Sequence, residues 1–133
     1  MSLWLTLALL IALAGSAEAF TCTATGCTFT ASYTEPTTNT ASGPVNLTGT
    51  TVYYQRDGGP EVAIPVPASG LTGGAAMLKD IVAPILPGQK VVITGAVTAK
   101  NAFGESARSP MAPLTIDRSG EVAPNPPVGG SFK

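Results

Sequence analysis

The sequence contains no histidine, and this absence bears first on catalysis. Histidine is the most common general base in enzymes and a common ligand for zinc, so either function would have to depend on other side chains. The carboxylates that could replace it are scattered singly and mostly fall at predicted turns: Glu35, Asp57, Glu61, Asp80, Glu105, Asp117 and Glu121. We therefore expect a non-catalytic protein without a metal ion or other cofactor. A carboxylate pair that works as acid and base is the alternative.

The chain also lacks an excess of charge of either sign. It has 7 lysines and arginines against 8 aspartates and glutamates, and no cluster of basic residues. Binding to nucleic acid depends on several basic side chains that neutralise phosphates. The composition therefore argues against a nucleic-acid partner, and it gives no reason to expect attraction to an acidic membrane surface.

Long apolar runs are confined to the start of the chain, in residues 1–19. Leu3–Ala14 is the apolar stretch, and Ala17 and Ala19 are small residues at the two positions that a signal peptidase reads. The stretch is shorter than the roughly 20 residues needed to span a bilayer. We expect a signal peptide cleaved before Phe20, with no membrane span thereafter, and a protein that is secreted, at the cell surface or periplasmic. Retention of the segment as an anchor is the alternative. The uncharged n-region favours a bacterial source.

Only two cysteines are present, Cys22 and Cys27, with four residues between them. In an exported chain such a pair is most economically a disulfide that closes a small loop. A zinc site usually needs four ligands from cysteine and histidine, and the chain has no histidine. A disulfide is therefore predicted, and a metal site or a lipid anchor on Cys22 are the alternatives.

Helix-forming patterns are almost absent, whereas glycine and proline occur 15 and 12 times and divide the chain into short segments. Between them, apolar and polar residues alternate, which is typical of strands with one buried face. Pro65 and Pro67 confine their strand to a sheet edge, because proline cannot donate to a ladder, and Pro110 and Pro113 likewise suit an edge position for the last strand. Strands are predicted at residues 27–33, 46–56, 61–67, 75–82, 90–100 and 109–117, with a hairpin turn at residues 57–59. For residues 75–82 a single helical turn is the alternative.

About seven short strands joined by turns are typical of an antiparallel two-sheet β-sandwich. The predicted fold is therefore all-β, with one sandwich domain over residues 20–117. Residues 118–133 have few apolar side chains and no evident period, and they are predicted to form a Pro/Gly-rich flexible tail.

Four segments resemble, in order and spacing, those of fibronectin type III domains: Tyr33-x-x-Pro36, GTTVYYQRDGG at 49–59, LPG at 86–88 and A-x-N-A-F-G-E-S at 99–106. In that family an aromatic residue followed three residues later by proline ends the second strand, which Tyr33 and Pro36 match. Val91 or Ile93 stands where the family carries an aromatic residue, and the cysteines are not family features. The resemblance covers residues 27–117 and implies an immunoglobulin-like β-sandwich.

Four residues are the candidates for contact with a partner. Tyr53 lies on the strand face opposite to the predicted core, and Phe103 lies at the tip of a turn. Glu105 and Arg108 follow in the same polar segment. Exposed aromatic residues on a neutral β-sandwich can form a contact surface for a protein or a sugar.

The turn that carries Phe103 is also expected to serve the fold itself. Asn101 and Gly104 occupy positions where such turns use residues that tolerate left-handed backbone. This structural role would leave Phe103, Glu105 and Arg108 as the residues free to contact a partner.

The leading hypothesis is an exported module that mediates binding or adhesion to proteins or surface polysaccharide. The alternative is a structural subunit of an extracellular filament, surface layer or virion-like assembly. In that case copies would be linked through terminal arms, namely the leading segment 20–27 and the tail 121–133.

Overall fold

The computed structural model of the chain describes residues 20–132, which contain strands, turns and extended segments and no helix. The predicted signal peptide, residues 1–19, lies outside the described residues, which begin directly after the predicted cleavage site. The strands are β1 (Phe20–Thr23), β2 (Gly26–Thr34), β3 (Gly49–Arg56), β4 (Val62–Pro67), β5 (Ala76–Ala83), β6 (Lys90–Asn101), β7 (Gly104–Glu105) and β8 (Ser109–Asp117).

Two antiparallel sheets form a sandwich, as the alternating pattern predicts. The smaller sheet has the order β1-β2-β5, and the larger sheet has the order β4-β3-β6, with β7 and β8 both paired to β6. Phe29 and Ile81 of the smaller sheet and Val52 and Ile116 of the larger sheet are buried in one apolar core. The rings of Phe29 and Tyr54 meet edge to face, with 5.8 Å between their centres.

Proline marks both edges of the larger sheet. β4 contains Pro65 and Pro67, and β8 contains Pro110 and Pro113. Each of these strands pairs with only one other strand, so the missing proline N–H groups are tolerated there. The predicted edge position of both strands is confirmed.

The leading segment departs from the sequence prediction, which placed the first strand at Cys27. Phe20–Thr23 forms β1, which pairs with β2 in a register that places Cys22 opposite Cys27. The two sulfur atoms are bonded at 2.07 Å, so the predicted disulfide is confirmed. The segment is therefore part of the smaller sheet and is not a free arm, in contrast to the arm expected for a filament subunit.

Arg118 joins the two sheets next to the disulfide. Although it was assigned to the tail, only 4% of its surface is exposed. Its guanidinium donates to the Thr23 carbonyl at 2.8 Å and to the Ile85 carbonyl at 2.7 Å, and it pairs with the Glu121 carboxylate at 2.6 Å. Because Arg118 directly follows β8, these bonds tie the larger sheet to the smaller one. We call this region the disulfide end.

The opposite end of the sandwich is formed by loops, and we call it the loop end. β2 and β6 both run from the disulfide end towards it, so the segments after Thr34 and Asn101 lie there together. The Asn101 side chain donates to the Val45 carbonyl at 2.9 Å and thereby connects the two segments. The predicted contact residue Phe103 belongs to this end.

We predict that Arg118→Met lowers the free energy of unfolding by about 3 kcal/mol, because the buried Ile85 carbonyl and the partly buried Thr23 carbonyl lose their donor. Arg56→Met is the matched control, since Arg56 also donates to a backbone carbonyl, that of Pro84, but at the surface. Chemical denaturation of both variants measures the difference. Equal losses would contradict the role assigned to Arg118.

Candidate functional site

Three of the four candidate residues meet on the outer face of the larger sheet. The Tyr53 hydroxyl of β3 donates to Glu105 Oε2 of β7 at 2.6 Å. The guanidinium carbon of Arg108 lies 4.0 Å from the centre of the Tyr53 ring, in the position of a cation–π contact. Residues that are 55 positions apart in sequence are thus brought into one group.

Small neighbours explain why the Tyr53 ring lies on the sheet. In the β-ladders Tyr53 stands opposite Ala63 of β4 and Ala96 of β6, and Ala96 in turn stands opposite Pro110 of β8. Directly opposed residues share one face of a sheet, so these side chains surround the ring without displacing it. The ring is half-buried as a result.

Two further residues complete this group, and neither was singled out from the sequence. Glu61 accepts two hydrogen bonds from Arg108, at 2.5 and 2.9 Å, in the forked geometry that arginine and carboxylate favour. Thr98, buried on β6, donates its hydroxyl proton to Glu105. We call these five residues the Tyr53 cluster: Tyr53, Glu61, Thr98, Glu105 and Arg108.

The pKa shifts in the cluster keep both carboxylates charged and the Tyr53 phenol neutral. The Thr98 and Tyr53 hydroxyls lower the pKa of Glu105, and Arg108 lowers the pKa of Glu61. The hydrogen bond to Glu105 raises the pKa of the Tyr53 phenol. A carboxyl group that acts as a general acid near neutral pH needs a raised pKa. The cluster instead has the electrostatics of a fixed surface network.

Phe103 lies outside the cluster, and 93% of its surface is exposed. Asn101 shapes its turn, because the Asn101 side-chain oxygen accepts the Phe103 N–H at 2.8 Å. Gly104 has a φ of 144°, as predicted, but Asn101 has no positive φ. The expectation for Asn101 was therefore wrong, since its side chain rather than its backbone conformation defines the turn.

An apolar cleft of about 1140 Å³ opens between the two sheets at the loop end. Tyr33 of β2, Val97 of β6 and Met111 of β8 are half-buried along it, and Phe103 stands at its margin. The Tyr33 hydroxyl shares a hydrogen bond of 2.6 Å with the buried Thr50 hydroxyl. This bond connects the sheets beneath the cleft.

Glu35, at the end of β2, is a buried carboxylate with a structural function. Only 2% of its surface is exposed, and it accepts bonds from the Ser69 N–H at 2.9 Å, the Ser69 hydroxyl at 2.5 Å and the Ala75 N–H at 3.2 Å. These bonds, that from the Ser69 hydroxyl above all, lower its pKa below the ordinary value of 4.5 although burial opposes them. Glu35 thereby fixes the loop between β4 and β5.

Within residues 20–132, no group of three or more cysteine, aspartate or glutamate side chains is arranged to hold a metal ion. In the same part of the chain, no helix has the length and apolar character needed to cross a membrane. Scans against protein-family models, curated proteins and solved structures found nothing that matches this chain.

We predict that Glu105→Gln lowers the pKa of the Tyr53 phenol towards its ordinary value, because the phenol loses a charged acceptor and the nearby negative charge. Ultraviolet titration of the phenolate, with Tyr53→Phe to assign the signal, measures the shift. Asp80→Asn, on the smaller sheet, serves as the control. A Tyr53 pKa that is unchanged in Glu105→Gln would contradict the network.

Glu35 gives a second prediction, on acid stability. Its folded-state pKa lies below the unfolded value, so its contribution is present above pH 4.5 and is lost as the pH falls through the folded-state pKa. Glu35→Gln should lower the free energy of unfolding near pH 7 by about 1–3 kcal/mol and flatten its decline below pH 4.5. Denaturation at several pH values tests this, and an unchanged slope would contradict it.

Proposed function

We propose that the chain is an exported, non-catalytic module resembling a fibronectin type III domain, which binds or adheres to a protein or a surface polysaccharide. The observation that carries this proposal is the exposed ring of Phe103, held on a defined turn at the margin of an apolar cleft. Aromatic side chains, including phenylalanine, are enriched in the cores of protein interfaces relative to the rest of the surface.

The turn reduces the entropy lost on binding. Asn101 bonds both to the Phe103 N–H and to the Val45 carbonyl, so the backbone around the ring is already ordered. Glu105, in the next strand, is held by the Tyr53 cluster. A surface ordered before contact binds more tightly for the same buried area.

The near-neutral charge favours apolar contact over electrostatic attraction. Arg108 already pairs with Glu61, and Glu105 already accepts two hydroxyl bonds. Their charges are therefore largely satisfied within the domain, and they would act by positioning the β7 segment. Binding through Phe103 should accordingly depend little on ionic strength.

The Cys22–Cys27 disulfide supports export, because disulfides persist mainly in oxidising compartments. The predicted signal peptide points to the same location. A protein at the cell surface or outside the cell would meet both proposed classes of partner.

A second candidate function is that of a structural subunit in an extracellular assembly. It is favoured by the tail, where Val122, Val128 and Phe132 are all exposed. Exposed apolar side chains on an extended segment are unfavourable in water and suit a segment that is buried against another chain.

We predict that Phe103→Ser reduces retention of the protein on the surface of the cells that export it by about tenfold, because the ring supplies the apolar contact. Leu78→Ser is the matched control, since Leu78 is also an exposed apolar residue but lies on the smaller sheet. Binding of labelled protein to whole cells and to their isolated polysaccharide distinguishes the two partner classes.

Equal retention of Phe103→Ser and the unsubstituted protein would contradict recognition through Phe103. A loss in Leu78→Ser alone would place the contact on the smaller sheet instead. Circular dichroism of each variant verifies that the fold is intact.

A further inference from the structure

β2 is paired along only half of its length on the side of β1. The last pair of the β1–β2 ladder is Phe20 with Phe29, whereas β2 continues to Thr34 and remains paired with β5 on its other side. Among residues 20–132, no strand pairs with Thr30–Thr34 on the β1 side. Backbone N–H and C=O groups that point to this side are therefore open to another strand.

The open edge coincides with the apolar cleft. Tyr33 of this edge borders the cleft, and Val97 and Met111 lie across it on the larger sheet. All three side chains are only half-buried. An added strand would bond to the open N–H and C=O groups of β2 and would at the same time complete the burial of these three side chains. Peptides that bind by strand addition use both kinds of contact.

The tail has the pattern that such a strand requires. Its even positions are Val122, Pro124, Pro126, Val128, Gly130 and Phe132, so one side of the extended segment is free of polar side chains. This alternation is not evident from apolar residues alone, because proline and glycine occupy half of the positions. Val128 is 92% exposed and Phe132 is fully exposed.

Within the tail, the segment Val128–Phe132 is the part able to pair. It contains no proline, so each of its five residues can donate an N–H. The preceding residues 124–127 include three prolines, which favour an extended spacer rather than a strand.

We propose that Val128–Phe132 of one copy adds as an antiparallel strand to the open edge of β2 in a second copy. The register that keeps the even positions towards the cleft pairs residues 129–132 with residues 31–34, with Phe132 opposite Ala31 and Gly130 opposite Tyr33, and it sets Val128 opposite Glu35, directly after β2. Large residues then face small ones in the first two pairs. Ser131 stands opposite Ser32 on the outer face. This inference rests on the assembly candidate and is independent of recognition through Phe103.

Two observations favour a second copy over the chain's own segments. Arg118 anchors the start of the tail at the disulfide end, whereas the cleft lies at the loop end, and the chain's own Val128 is exposed. Residues 1–19 are the predicted signal peptide, which is removed on export, so we do not expect them to supply the strand. A donor at one end and an acceptor at the other produce open head-to-tail chains.

The test combines assembly with site-specific crosslinking in protein made from the full sequence. Sedimentation should show assemblies that grow with concentration, and Val128→Ser/Phe132→Ser should weaken their association about tenfold or more, because both apolar anchors are lost. Val122→Ser, outside the pairing segment, should leave association unchanged.

For the crosslink, chains that carry Ser32→Cys are mixed with longer, tagged chains that carry Ser131→Cys. An intermolecular disulfide between these cysteines is expected, whereas Ser119→Cys in place of Ser32→Cys, at the disulfide end, should give none. The native Cys22–Cys27 pair is common to all variants.

The other outcomes overturn the inference in distinguishable ways. Assemblies that survive Val128→Ser/Phe132→Ser would refute the tail as donor but leave the assembly candidate standing. A monomer at every concentration would refute both. A third variant carries Ser32→Cys and Ser131→Cys on the same chain. If its disulfide forms only within one chain, the tail occupies its own cleft, and the inference is refuted.

Discussion

The buried guanidinium of Arg118 is the interaction on which the arrangement of both sheets depends. It donates to carbonyl groups on either side of β2, those of Thr23 and Ile85, while its own backbone continues β8. An arginine can be buried in this way only because its donors have oxygen partners, including the Glu121 carboxylate at the surface. The disulfide end is therefore closed by hydrogen bonds, the disulfide and apolar packing together.

The loop end is built differently, and this asymmetry underlies both proposals. Polar contacts such as Tyr33 with Thr50 and Asn101 with Val45 hold the sheets there, and a cleft remains above them. Asn101 also orders the turn of Phe103, and within residues 20–132 no strand pairs with the last five residues of β2 on the β1 side. Both proposals use this end: the first places a partner at the turn of Phe103, and the second places the tail of a neighbouring copy at the edge of β2.

Much of the fold could be predicted from the sequence because strand alternation and proline placement are local signals. The alternation in β2 and β6 and the prolines of β4 and β8 identified strands and edges that the structure contains. β1 was missed because its four residues are too short for a pattern, and β7 has only two.

The site was less predictable, because its contacts join residues distant in sequence. Tyr53, Glu105 and Arg108 were chosen for residue type and predicted exposure, yet their charges and hydroxyl are satisfied within the domain. Glu61 lies 47 positions from Arg108, and only the sheet register brings the two together. Arg118 and Glu35 carried no local sign of burial, since a lone charged residue in a turn usually remains solvated.

Hydrogen exchange of the Thr30–Thr34 amides tests most directly the claim that the loop end is open and accepts a strand. Those amides that point away from β5 should exchange rapidly in dilute protein and become protected at concentrations where copies assemble, while Thr28 stays protected throughout. Equal protection of these amides in dilute and concentrated samples would contradict the account.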